Sequence, residues 1–179
     1  MTQIGSIYAN ALYSLAKDAE CEETIKNQIL ILGEAFAQEP DFVRLLDTPS
    51  LSKQERCQIV DDSFRMQLHP YLLNTLKLLT EKGYIRHFPS CVEAYRACYN
   101  RDMGILEVSA VTAIPLTVHQ KEKLTRKLET ITGKTVQLQN RVEAACMGGV
   151  RLDYDGRCVD DTISNRLDTI AALLKNTVL

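Results

Sequence analysis

Met147-Gly148-Gly149-Val150-Arg151-Leu152-Asp153-Tyr154-Asp155-Gly156-Arg157-Cys158-Val159-Asp160-Asp161 runs without a break into residues 162–175. A Gly-Gly pair opens an alternating strand with Val150, Leu152 and Tyr154 on one face. Asp155-Gly156 is a strong hairpin signal, because both central residues of a type I′ turn need positive φ. A short return strand follows. After it, Ile163, Leu167, Ile170 and Leu174 fall on one side of a helix, whose positive N-terminus Asp160-Asp161 would cap. A strand, a turn and a helix in this order make a scaffold, with no phosphate cradle. Gly148-Gly149 lacks the Lys-Ser/Thr of a P-loop and the third glycine of a dinucleotide loop, so a bulge or close backbone approach is expected.

Working outward, the region upstream has the same mixed character. Leu106, Val108, Ala110 and Thr112 alternate with Glu107, Ser109 and Val111, the period of a strand. Thr117-Val118-His119-Gln120 matches a capping box, opening a helix with Leu124, Leu128 and Ile131 inward and Gly133 as its stop. Val136, Leu138 and Val142 alternate again. Residues 105–179 therefore read as a small α+β domain.

Residues 1–104 read differently, as consecutive helices. Ile4, Ile7, Tyr8, Ala11, Leu12 and Leu15 are spaced by three and four. Ile25, Ile29, Leu32 and Phe36 give a second helix. Pro40 starts a short third with Phe42, Leu45 and Leu46 inward, and Thr48-Pro49 breaks it. Ser52 and Glu55 fit a capping box before Ile59, Val60 and Phe64. Pro70 opens a helix carrying Leu72, Leu73, Leu76 and Leu79 as far as Gly83. The last runs from about 85 to 103 with Phe88, Val92, Tyr95 and Tyr99 in line, and Pro89 in its first turn. The expected fold class is α+β, mainly α: an N-terminal six-helix bundle followed by the small α+β domain.

The totals narrow the function. Apolar and charged fractions of 45% and 25% fit a folded chain. The net charge of −2 gives no general electrostatic reason to bind nucleic acid. Residues 1–104 carry 11 basic and 14 acidic side chains. No run reaches the ~18 apolar residues of a membrane span, so any membrane association would come through a partner. Six cysteines without a C-x-x-C pair read as reduced thiols. His69, His87 and His119 each lie near an expected helix start, none at metal-ligand spacing with Cys or carboxylate. Lys121, Lys123, Arg126 and Lys127 form one basic cluster, interleaved with Glu122 and Glu129 and lacking aromatic residues, as on a solvated helix side. No constellation suggests catalysis, and neither cofactor nor metal is expected. The first helix is more informative: small alanines beside Tyr8, Leu12 and Leu15 leave grooves that suit either ordinary packing within the bundle or another amphipathic helix.

Across nearly its whole length the sequence resembles the delta subunit family of the rotary F-type ATP synthase, whose mitochondrial counterpart confers oligomycin sensitivity. Tyr8-Ala9-Asn10-Ala11-Leu12-Tyr13 is similar to the family's opening Tyr-Ala-x-Ala-Leu/Phe-aromatic. Phe42-Val43-Arg44-Leu45-Leu46 with Pro49-Ser50-Leu51-Ser52, and Leu76 through Gly83, resemble further segments. The tail is the most specific: Gly148-Gly149-Val150 through Asp160 to Asn165-Arg166-Leu167 resembles the family's Gly-Gly strand, acid-Gly hairpin and helix start. Asp160-Asp161-Thr162 departs from the usual Asp-Gly-Ser.

The resemblance implies a non-catalytic stator subunit on the catalytic head. A groove between the first and fifth helices would receive the N-terminal helix of an alpha subunit, with Tyr8, Ala11, Leu12 and Leu15 on one wall. Leu76, Leu79 and Thr80 would line the other. The C-terminal region would meet the b subunits of the peripheral stalk, loosely through the last helix. It further implies a monomer, one copy per complex, held indirectly at the cytoplasmic face of a bacterial inner membrane. An all-helical RNA-binding or regulatory adapter is the alternative, and steeply salt-dependent RNA binding would distinguish it.

Overall fold

The computed structural model describes residues 2–48, 50–154, 156–163 and 165. The chain divides into two compact units, Met1–Asp102 and Met103–Leu179. Together they are mainly helical with one small sheet, an α+β chain.

The first unit holds α1 (Gln3–Asp18), α2 (Glu22–Gln38), α3 (Pro40–Asp47), α4 (Lys53–Phe64), α5 (Pro70–Lys82) and α6 (Phe88–Asp102). Local chemistry sets their ends. Pro40 and Pro70 stand in first turns, where the missing N–H costs nothing. Ser52 and Glu55 close a reciprocal capping box on α4, and Gly83 ends α5 in the left-handed conformation. A 3-10 turn at Ile85–His87 feeds α6, with Pro89 tolerated in its first turn.

The expected faces of α2, α5 and α6 are buried: Ile25, Ile29, Leu32 and Phe36; Leu72, Leu73, Leu76 and Leu79; Phe88, Val92, Tyr95 and Tyr99. Phe36 lies 5.1 Å from Phe88, 5.9 Å from Phe42 and 6.2 Å from Phe64, centroid to centroid, joining four helices. The buried Tyr95 hydroxyl donates to Glu22 O at 3.1 Å, so its polar tip is satisfied. In α3 only Leu46 is fully buried. Leu45 is exposed, because a helix of eight residues has room for little more than one inward position.

The second unit is built on a sheet of order β2-β1-β3-β4. β1 (Ile105–Thr112) and β2 (Thr135–Val142) are parallel and joined through α7 (Val118–Thr132), the crossover that a parallel pair requires. β3 (Val150–Tyr154) is antiparallel to β1 and forms a hairpin with β4 (Arg157–Asp160), with Tyr154 opposite Arg157. Gly156 lies in the turn between the two strands, with φ 72°. Leu106, Val108 and Val136 form the core, with Leu128 from α7 and Leu138, Leu152 and Tyr154 packed against it.

Two expected inward residues are outside. Ile131 is exposed near the end of α7, and Val142 at the end of β2. Between Leu138 and Val142 sits Asn140, whose amide donates to Ala110 O and Thr112 Oγ1 (2.9 Å each) while its oxygen accepts from Leu116 N. A polar clamp therefore ends this core where periodicity alone continues it. The final helix read for 162–175, with Leu167, Ile170 and Leu174, lies outside the described residues except at its first positions.

Candidate docking surface

α1 begins at Thr2, whose hydroxyl oxygen accepts from Gly5 N at 3.4 Å. Its buried side is Gly5, Ala9, Leu12, Tyr13 and Ala16, so three of the five are the smallest residues available. Small side chains let α6 come close. A Cβ added at Gly5 would lie 2.7 Å from Ser90 Cβ and 2.9 Å from the Cys91 backbone nitrogen. The helix is thus turned from what its apolar pattern suggests. The larger residues Ile7 and Leu15 remain 60% and 52% exposed, Ala11 is exposed and Tyr8 half-buried.

Of the seven groove positions named from resemblance, Tyr8, Ala11 and Leu15 reach the surface. Leu12, Leu76, Leu79 and Thr80 are each 1% exposed or less. Thr80 donates to Leu76 O at 2.8 Å within α5. These four belong to the interior of the helical unit, and a visiting helix could touch them only after the helices moved apart. The surface of α5 instead presents Tyr71 and Leu78, seven residues and two turns apart on one side.

Ile7 and Tyr84 also reach this surface. Tyr84 lies just past α5 and meets Tyr8 edge-on at 6.5 Å, with His87 6.2 Å beyond it. Ile7 was legible in the apolar spacing. Tyr84 had no periodic signal, since it follows Gly83 outside any helix.

Ion pairs fix the frame around this surface. Lys17 Nζ lies 2.6 Å from Asp102 Oδ2, tying the end of α1 to the end of α6. Hydrogen bonds from Lys17 and then Tyr13 hold the Asp102 carboxyl below the usual range. Burial, reinforced by Asp102, pushes the Tyr13 hydroxyl up to about 12. On the far side Lys77 pairs with Asp61 between α5 and α4 and lowers that carboxyl. Burial pushes the Cys91 thiol up to about 12, which removes it as a nucleophile near neutrality.

The glycine positions of the tail let residues 148 and 149 lie against residues 161–163. Gly149 has φ 83°, and a Cβ there would collide with Asp161 O and sit 3.0 Å from Thr162 Cα. Gly148 would place one 2.8 Å from Ile163 Cδ1. Asp160 Oδ1 accepts from the Thr162 backbone N–H and hydroxyl, at 2.9 and 2.7 Å, and these bonds lower its pKa. Thr162 Oγ1 then accepts from Asn165 N at 3.3 Å, so Thr162 takes the capping position and Asp160 braces it. Asp155, Arg166 and Leu167 lie outside the described residues. Among those described, no cluster of His, Cys, Asp or Glu is placed to hold a metal, and no helix is long and apolar enough to cross a membrane.

Comparison with known proteins places this geometry. Residues 4–174 match the family model described as ATP synthase delta (OSCP) subunit. The ATP synthase subunit delta of Geobacillus sp. (strain WCH70) is 31% identical over 168 residues, covering 93% of this chain and 94% of that protein. That of Roseobacter denitrificans is 29% identical, covering 97% and 94%. A sodium ion specific delta subunit from Ilyobacter tartaricus is 28% identical, covering 94% and 97%. In the cryo-EM structure of the Toxoplasma gondii mitochondrial ATP synthase hexamer, one chain superposes with TM-score 0.77 over 97% of this chain and 98% of its own. At 19% identity that is a likeness of fold alone.

Proposed function

The chain belongs to the ATP synthase delta (OSCP) subunit family, and from that premise we propose that it is a non-catalytic stator subunit of an F-type ATP synthase. The helical domain, a six-helix bundle over residues 1–104, grips the N-terminal helix of an alpha subunit on the catalytic head. The domain of residues 105–179 meets the b subunits of the peripheral stalk. One copy serves each complex, at the cytoplasmic face of a bacterial inner membrane and attached to it only through partners.

The mechanism is mechanical. Ion flow turns the rotor, and the head would turn with it unless held. A link between head and stalk converts that torque into conformational change at catalytic sites on other subunits. Such a link must outlast many turnovers, which favours slow dissociation and buried apolar anchors over screened surface charge.

The observation that carries this reading is the reversed arrangement of α1. Gly5, Ala9 and Ala16 face inward with Leu12 and Tyr13, while Ile7, Ala11 and Leu15, with half-buried Tyr8 and exposed Tyr84 beside them, face outward. Covering Ile7 and Leu15, each about half exposed, would contribute roughly 1 kcal/mol apiece. Tyr71 and Leu78 on α5 extend the apolar surface available.

The test is a titration of the purified chain with a peptide of the alpha-subunit N-terminus, followed by NMR and calorimetry because the chain lacks Trp. Tyr8→Asp and Ala11→Asp are expected to weaken binding more than 10-fold, by setting a carboxylate against apolar groups, while far-UV circular dichroism stays unchanged. Wild-type affinity in both folded variants would remove α1 as the docking edge.

A further inference from the structure

The two edges of the sheet are finished differently. β4 is four residues long and begins and ends on the charged Arg157 and Asp160, and a short charged strand gives another chain little to pair with. β2 is eight residues long, lacks proline, and carries the exposed, neutral Gln137 and Gln139. Its register with β1 is unbroken from Thr135 to Val142, so no bulge turns it away. A long, regular edge of this kind is a template for a further strand.

The ladder fixes which groups that edge presents. Thr135 N donates to Gly104 O at 3.0 Å, and Glu143 N to Thr112 O at 2.9 Å. Successive peptide groups of a strand point to opposite sides. Odd-numbered residues therefore turn their amides toward β1, while Val136, Leu138, Asn140 and Val142 turn theirs outward. Of these four N–H groups only that of Val136 has a partner among the described residues: Glu129 Oε1, 3.2 Å away, reaching across from α7. The half-buried Glu129 carboxylate thus stands at the outer side of the strand, where an incoming chain would have to place a carbonyl.

We infer that Glu129 guards the free edge of β2 against pairing with a second copy of this chain. A second copy fits because the edge complements itself. Two β2 strands can run antiparallel about a two-fold axis, and overlap from 136 to 142 sets Val136 of each copy opposite Val142 of the other. Each Val136 N–H must then donate to a carbonyl of the other copy, so both Glu129 carboxylates must let go, one at each end of the pair. A carboxylate that stayed would face a carbonyl oxygen, acceptor against acceptor. Hydrogen bonds to a charged group are roughly twice as strong as neutral ones, so exchanging this bond for a ladder bond opposes pairing, and does so twice. In the same register Gln139 of one copy lies opposite Gln139 of the other.

The test compares the full chain with three variants by sedimentation velocity at rising concentration, with far-UV circular dichroism to confirm folding. Wild type is expected to stay monomeric. Glu129→Ala, which keeps a good helix former, is expected to double in mass as concentration rises. Glu129→Gln, whose side-chain oxygen can still accept from Val136 N, should remain monomeric. The double variant E129A/Q139K, with like charges directly opposed across the axis, should return to monomer. Amide exchange in wild type reads the same edge without any substitution: Val136 should exchange about 10-fold more slowly than Leu138 and Asn140, the effect of one retained hydrogen bond. A folded E129A that stays monomeric, an E129Q that associates as strongly as E129A, or association of E129A that Q139K leaves unchanged would each overturn the inference. So would Leu138 and Asn140 amides as slow as that of Val136 in the wild-type monomer, since the edge would then be covered by something other than Glu129.

Discussion

The two units bury their helices to different depths. α2, α5 and α6 each contribute at least four buried side chains, whereas α7 contributes none that is fully closed. A helix among helices has neighbours on several sides. A helix laid on a four-stranded sheet is covered on one side only, and its partners Leu106, Val108 and Val136 make a small core. An apolar stripe of the same period thus becomes an interior in one unit and a half-covered seam in the other. Stability in the first unit should rest on packing, and in the second more on hydrogen bonds and turn geometry.

That contrast can be broken most directly by truncation. Leu12→Ala, at 1% exposure, is expected to cost about 3 kcal/mol, within the range of roughly 2–5 for closed core sites. Leu128→Ala on α7 should cost about half as much, since its site is already partly open. Urea midpoints from circular dichroism would measure both, and equal losses would abolish the distinction. Caps provide a sharper control, because they act locally. Ser52→Ala on α4 and Thr117→Ala on α7 each remove a reciprocal capping box and should each cost about 1 kcal/mol despite the difference in burial. A much larger loss at one would mean that the cap also supports packing.

Acid should have the smallest effect and touch both units. Asp61 and Asp102 in the first, and Asp160 in the second, all have lowered pKa values. Folding with a depressed carboxyl is favoured above its unfolded value of about 3.9, and that contribution disappears as pH falls through the folded value. Stability should therefore be flat near neutrality and decline below about pH 4. These side chains lie near solvent, so the decline should be gentle, and Asp61→Asn should shallow it further. A loss beginning near pH 6 would point to histidine instead.

The legibility of the fold follows the same divide. In α2, α5 and α6 every apolar position read inward from spacing is buried. Both capping boxes, Gly83 and the Gly156 hairpin were also readable, because each is a short-range device. Spacing failed at Leu45, Ile131 and Val142, where an element was too short or had run past its partner. On α1 it grouped Ile7 and Leu15, which stay exposed, with Leu12, which is buried. Periodicity identifies an apolar side but cannot tell which neighbour will cover it.

The sequence by itself determined where elements begin and end, which period each follows, and which family the chain belongs to. These depend on residues a few positions apart and on their backbone preferences. Tertiary structure alone decided that α1 buries Gly5, Ala9 and Ala16, with Gly5 against Ser90 and Cys91 of α6, and leaves Ile7 and Leu15 outside. The reason is steric. Close approach of two helices selects the small side chains, even when a larger apolar face lies on the same helix.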